Sequence, residues 1–198
     1  MHRMPLVLAS SSPYRRMLLE RLVPEFRCHS PEIDESPIQG ESAGSLVRRL
    51  AREKARAVAS AYPDTLIVGS DQVAVRTDGT VLGKPATLEN AREQLRASSG
   101  TTVTLETGLC LLNTTTGRHQ CASEQARVHF RHLDTATIDG YLQREQPLDC
   151  AGSFRCEGLG ISLFRALESR DPATIIGLPL ILLAEMLRTE GHALYQDY

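Results

Sequence analysis

The passage from Leu6-Val7-Leu8 into Ala9-Ser10-Ser11-Ser12-Pro13 constrains the fold more than any other stretch of the chain. A continuous apolar run of this length reads as a buried strand, and it ends in a hydroxyl-rich turn. Ser12 is a good N-cap, and Pro13 falls at the first helical position, where its missing N–H costs nothing. Met17, Leu18 and Leu22 give the following helix, expected over residues 13–22, an apolar side. A strand feeding directly into a helix is the opening of an α/β domain. The start of that helix also presents free backbone N–H groups and the positive end of the macrodipole. Three serine hydroxyls and the guanidinium groups of Arg15 and Arg16 gather at that end, where cations are disfavoured unless an anion answers them. Either a phosphate-type ligand sits there, or the stretch is an exposed capping turn with two surface arginines.

The alternation continues along the chain. A short strand is expected at Phe26 to Cys28, then an acidic loop between Pro31 and Pro37 that carries Glu35. Residues 44–61 are rich in Ala, Leu, Arg, Lys and Glu and read as a helix. Leu66-Ile67-Val68 reads as a buried strand that runs through Gly69-Ser70-Asp71 to Val75, with a hairpin turn at Asp78-Gly79. A helix capped by Thr87 follows over residues 88–97. Strands at residues 103–112 and 126–130 are expected to form a hairpin turning near Thr116-Gly117, and a helix spans residues 134–143. Two short strands are expected around Phe154 and Ile161, and a last helix over 179–189. This alternation implies an α/β domain with a mixed sheet flanked by helices. With 198 residues and 41% hydrophobic content, the chain is read as one domain over 1–198, with two lobes around a cleft as the alternative.

Charge and cysteine content narrow the function classes. A net charge of −2 gives no general attraction to nucleic acid or to a membrane, so any anion site is local. The five cysteines contain no C-x-x-C pair and are odd in number, which favours a reduced, cytoplasmic setting over a disulfide framework or a structural zinc site. The apolar run after Met1-His2-Arg3-Met4-Pro5 is too short for a signal peptide, and residues 175–184 are too few to span a bilayer.

Several side chains stand where chemistry would need them. Lys54 follows Leu46, Leu50, Val47 and Ala51 at helical spacing, so it lies on the apolar stripe. It either snorkels to the edge of the core or aims its ammonium at a buried anion. Asp71 ends an apolar strand at the edge where α/β proteins place ligands, suited to holding a divalent cation, taking a proton from water, or merely capping a turn. Lys84, in Gly83-Lys84-Pro85, is either a phosphate-facing ammonium or a surface lysine. Glu35 is a metal-holding carboxylate or a solvated one. His129 and His132 form an H-x-x-H on a strand edge, poor geometry for zinc. No P-loop, G-x-G-x-x-G or G-x-S-x-G motif is present.

Taken together, Ser10-Ser11-Ser12-Pro13-Tyr14-Arg15-Arg16, Asp34-Glu35-Ser36, Glu53-Lys54-Ala55, Gly69-Ser70-Asp71-Gln72, Gly83-Lys84-Pro85, Ala151-Gly152-Ser153-Phe154 and Glu157-Gly158 resemble the Maf family of nucleotide pyrophosphatases. The blocks occur in order and cover nearly the whole chain. The resemblance implies a fold related to the inosine triphosphate pyrophosphatases, with the mixed sheet twisted around a substrate cleft, and cleavage of a nucleoside triphosphate to monophosphate and pyrophosphate. It also implies a divalent metal, Mg or Mn. By position, it makes Asp71 the proton acceptor, assigns the triphosphate to Ser10, Arg15, Arg16, Lys54 and Lys84, and the metal to Glu35 and Asp71. Tyr14, Gln72 and Glu157 depart from the version of the family that acts on dTTP and UTP, and together they resemble the subfamily that hydrolyses 7-methyl-GTP. An aromatic face at position 14 attracts the cationic methylated base, and the Glu157 carboxylate complements guanine's donors and its charge. The expected partner is therefore a nucleoside triphosphate, with a homodimer left open. The alternatives are a dTTP/UTP or broad-specificity pyrophosphatase and a non-catalytic nucleotide-binding regulator of cell division.

Overall fold

The computed structural model describes residues 4–195; residues 1–3, part of the segment read above for a signal peptide, and 196–198 lie outside the described residues. The strands follow the order β2-β1-β3-β5-β6-β7, with β4 beside β3. The chain divides into two compact units, the first comprising 1–71, 107–124 and 177–198, the second 72–106 and 125–176.

In the first unit, β1 (Leu6–Ala9) is buried along its whole length and pairs in parallel with β2 (Arg27–His29) and with the start of β3 (Leu66–Arg76). The register Leu8↔Cys28 and Ala9↔Gly69 puts the carboxyl end of β1 beside Gly69, two residues before Asp71 in β3. Helix α1 (Pro13–Glu20) begins as the sequence requires, with the Ser12 hydroxyl accepting the Arg15 N–H at 3.3 Å. Helix α2 (Ala43–Val58) is capped by Ser42 and buries the stripe Leu46, Val47, Leu50, Ala51, Lys54, Ala55 and Val58. Ala55 and Val58 pack with Val7, Ala9, Ile67 and Leu112 into one core cluster. Two glycines allow α2 to lie this close. A Cβ on Gly69 of β3 would overlap the Ala51 carbonyl oxygen, and one on Gly108 of β5 (Thr102–Asn113) would overlap that of Val47. Helix α6 (Leu180–Thr189) completes this unit.

Strand β5 turns into β6 (His119–Phe130) at residues 114–117, where the Asn113 N–H bonds the Arg118 carbonyl. That register sets Cys110 opposite Cys121, and the two form a disulfide, with Cα atoms 4.2 Å apart. The expectation that spacing disfavours disulfides therefore fails for this pair, because hairpin register rather than a C-x-x-C spacing brings the sulfurs together. Cys28, Cys150 and Cys156 are free thiols.

In the second unit, the end of β3 pairs antiparallel with β4 (Val81–Leu82) across the Asp78-Gly79 turn, and β6 pairs antiparallel with β7 (Phe164–Ser169). Parallel and antiparallel pairs thus give the expected mixed sheet. Helices α3 (Leu88–Ser98) and α4 (Thr135–Glu145) cover a core that includes Leu95, Val128, Ile138 and Leu142. Phe130, Phe154 and Phe164 meet edge to face, with ring centroids 5.1–5.3 Å apart. The short strands expected around Phe154 and Ile161 are instead 3₁₀ turns at Ala151–Ser153 and Leu159–Leu163. Gly152 and Ser153 take φ of 74° and 63°, in the left-handed region that no strand admits. A further short helix, α5 (Pro172–Ile176), starts where the Asp171 carboxylate accepts the Ala173 N–H at 2.8 Å.

Candidate active site

In the first unit, Ser10 follows directly on the carboxyl end of β1, Asp71 stands midway along β3, and α2 delivers Lys54. The Lys54 ammonium stands 2.6 Å from Asp71 Oδ1 and 2.8 Å from Glu35 Oε1. Lys54 and Asp71 are both 6% exposed, so the stripe position of Lys54 serves a buried acid rather than snorkelling to solvent. Glu35 reaches the same nitrogen from the acidic loop, so the two carboxylates are held close together by one cation.

Arg15 joins this group from α1. Its Nε donates to the Gly177 carbonyl at 2.9 Å and its Nη1 reaches Ser10 Oγ at 3.5 Å. Burial pushes its guanidinium below the ordinary arginine range, and the nearby Asp71 and Glu35 charges oppose that shift. The Gly177 carbonyl also accepts from Ser70 Oγ at 3.1 Å, while the same hydroxyl reaches the Gly108 carbonyl at 2.8 Å. Ser70 and Gly177 were not among the sequence candidates. The Gly69-Ser70-Asp71 strand end was the available signal for the first, and the break at Gly177 before α6 for the second. Arg16 is exposed and pairs with Glu20 at 3.0 Å one turn along α1, so the structure does not draw it toward Lys54 and Asp71. Tyr14 is half-buried on the first turn of α1.

The second unit holds the remaining candidates. Gln72 directs its amide at the carbonyls of Thr174 and Ile175, at 2.8 and 3.4 Å. Lys84 is exposed on a turn in which Ala86 takes φ of 63° and the Thr87 N–H bonds back to the Pro85 carbonyl. This turn is tied to the Gly152 loop. The Gly83 carbonyl accepts from Gly152 N–H at 3.3 Å and from Gln94 Nε2 at 3.2 Å, and Gln94 Oε1 accepts from the Ser153 hydroxyl. Gln94 was missed from the sequence because it looks like an ordinary helix residue. Glu157 lies just beyond that loop, and partial desolvation raises its carboxyl above the usual carboxylate range. Burial pushes the neighbouring Cys150 thiol up to about 11, which leaves it protonated near neutrality and rules it out as a ready nucleophile.

Among the described residues no group of three or more His, Cys, Asp and Glu side chains could cage a metal. His129 of the H-x-x-H bonds Thr102 and Glu168 instead. Asp71 and Glu35 each give one oxygen to the Lys54 ammonium, so a hard divalent cation such as Mg²⁺, which takes one or two protein carboxylates and completes its shell with substrate phosphates and water, would share them with Lys54.

An α/β protein with a buried acid–ammonium cluster, where β3 runs past the end of its parallel neighbour β1, is the class that this fold and site define. The fold is similar to that of the Staphylococcus aureus Ham1 protein, with a TM-score of 0.56 at 12% identity over 94% of this chain and 99% of that one. Residues 5–190 match the family described as Maf-like protein, and the chain belongs to that family. It is 60% identical over 186 residues to the 7-methyl-GTP pyrophosphatase of Pseudomonas savastanoi pv. phaseolicola, which covers 94% of this chain and 96% of that relative. The protein of the same name from Pseudomonas syringae pv. tomato matches with the same identity and coverage. Among the described residues no helix is long and apolar enough to cross a membrane.

Proposed function

We propose that this chain hydrolyses 7-methyl-GTP to 7-methyl-GMP and pyrophosphate in the cytoplasm. The observation that carries this reading is the 60% identity, over 94% of the chain, to relatives bearing the name 7-methyl-GTP pyrophosphatase. The family match spans residues 5–190 and so includes every residue given a role below. The cluster of Asp71, Lys54 and Glu35 supports the chemistry.

Asp71 serves as the proton acceptor. A water oxygen bonds to the α-phosphorus, the bond from that phosphorus to the α–β bridging oxygen breaks, pyrophosphate leaves, and the water proton passes to the Asp71 carboxylate. Lys54 orients the Asp71 carboxylate, and its charge answers that of the phosphates. Arg15, held by the Gly177 carbonyl, and Ser10 bind phosphate oxygens, and Lys84 and Arg16 add cationic charge to the triphosphate. Glu35 and Asp71 would hold a divalent cation such as Mg or Mn, which neutralises phosphate charge when bound. Tyr14 offers an aromatic face to the cationic base and Glu157 its carboxylate to guanine's N1–H and amine, contacts that a pyrimidine does not return. Gln72 shapes the site beside Asp71.

The test is product identification on 7-methyl-GTP with the wild-type protein and Asp71→Asn. The wild type should yield the monophosphate and pyrophosphate. Asp71→Asn should fold and bind nucleotide but lose ~10²–10⁴-fold in rate. Release of orthophosphate and the diphosphate, or a near-normal rate in Asp71→Asn, would contradict the assignment.

A further inference from the structure

Glu157 sits on a stretch with neither strand nor α-helix to hold it, between the 3₁₀ turns at Ala151–Ser153 and Leu159–Leu163. Its fixation comes from α4. The Glu145 carboxylate accepts the Leu159 N–H at 2.7 Å through Oε2 and the Arg155 guanidinium at 2.9 Å through Oε1. One carboxylate therefore grips the residues two before and two after Glu157. One helical turn earlier, the Tyr141 hydroxyl accepts the Arg155 N–H at 3.1 Å, and a spacing of four puts both grips on one face of α4. Gly158 lets the loop lie against the carboxylate, since a Cβ there would stand 2.6 Å from Glu145 Oε1 and 2.8 Å from Oε2. The Glu145 side chain is only 14% exposed, and Arg155 also pairs with Asp149 at 3.2 Å.

We infer that Glu145 is a positioning residue: it sets where the Glu157 carboxylate stands, and through it the preference for a cationic purine over a neutral base. The inference rests on the base-reading role proposed for Glu157. Both Glu145 oxygens are occupied by loop donors, so its influence on a substrate runs through the loop. Without it, the loop samples more positions and each binding event must first order Glu157. That cost falls on binding of the base rather than on the reaction at the α-phosphorus.

The experiment measures kcat and KM for 7-methyl-GTP, GTP and UTP in the wild type, Glu145→Ala, Glu145→Gln, Glu157→Gln and the double variant Glu145→Ala/Glu157→Gln. Glu145→Ala should raise KM for 7-methyl-GTP roughly 10- to 100-fold, the worth of one or two charge-assisted hydrogen bonds, with kcat little changed. KM for UTP should stay put. Glu145→Gln keeps one acceptor for the Leu159 N–H and should recover part of the loss. The double variant should be no worse than Glu157→Gln alone, because Glu145 acts only through Glu157. Gly158→Ala supplies a second perturbation if Glu145→Ala fails to fold; its Cβ would meet the Glu145 carboxylate, and it should show the same KM effect. Equal losses on all substrates, or additive losses in the double variant, would overturn the inference. If Glu157→Gln abolishes the preference while Glu145→Ala and Gly158→Ala keep it, this inference alone falls. If Glu157→Gln leaves the preference intact, the base-reading role falls and takes this inference with it.

Discussion

Replacing Lys54 by methionine removes the cation from between two carboxylates while keeping most of the side-chain volume. At the observed 2.6 Å, an effective dielectric of 20 puts the gross attraction between Lys54 and Asp71 at roughly 6 kcal/mol, most of it offset by the desolvation of both ions. The Glu35 side chain is 55% exposed, so its bond to Lys54 is screened and adds about 1 kcal/mol at most. Removing one member of a buried pair costs about 3–5 kcal/mol, because the other charge is stranded. Arg15 is close enough to feel Asp71 and compensates part of that, so the expected loss lies near the lower end, about 3 kcal/mol. Urea denaturation at neutral pH measures it. Adding Asp71→Asn to Lys54→Met should restore about half of the loss or more, since no stranded charge remains. A single variant as stable as wild type, or a double variant no more stable than the single, would refute this account of the cluster.

Glu157, raised above the ordinary carboxylate range by desolvation, must be ionised to attract a cationic base. As pH falls it takes its proton earlier than an exposed carboxylate would, so KM for 7-methyl-GTP should climb on mild acidification in the wild type and stay flat in Glu157→Gln; parallel profiles would show that Glu157 does not touch the base. Gly69→Ala drives a Cβ into the α2 backbone and should cost about 3 kcal/mol or more by thermal or urea unfolding. Gly140→Ala, on α4 with nothing within 4 Å of the added Cβ, should instead stabilise by about 0.5–1 kcal/mol in the same assay.

The fold was legible where local chemistry and tertiary structure agree. Ser12 and Pro13 open α1 and Thr87 caps α3 as capping chemistry requires, and the stripe through Leu46, Leu50 and Lys54 marked the buried face of α2. Lys54 itself was ambiguous because periodicity locates a side chain without showing what faces it. Asp71 and Glu35 lie 17 and 19 residues away in opposite directions along the chain, and it is the close packing of α2 on β3 at Gly69 that brings Asp71 to the helix. The stretch after Cys150 misled because Phe154 and Ile161 look like strand residues, whereas Gly152 and Ser153 turn left-handed and Glu145 holds the loop from the end of the preceding helix. The hairpin turn falls near Thr116-Gly117 as expected, but the partnership of Cys110 with Cys121 depends on its residue-by-residue register, which the spacing of the cysteines does not show.

Steady-state kcat/KM for 7-methyl-GTP, GTP, dTTP and UTP, measured by pyrophosphate release with the same preparation and Mg²⁺, tests the central claim most directly. The account predicts that 7-methyl-GTP is the best substrate, ahead of GTP by about tenfold or more, the worth of a desolvated cation–π contact, with both pyrimidine triphosphates further behind. Equal efficiency on GTP and 7-methyl-GTP, or a preference for dTTP or UTP, would contradict it.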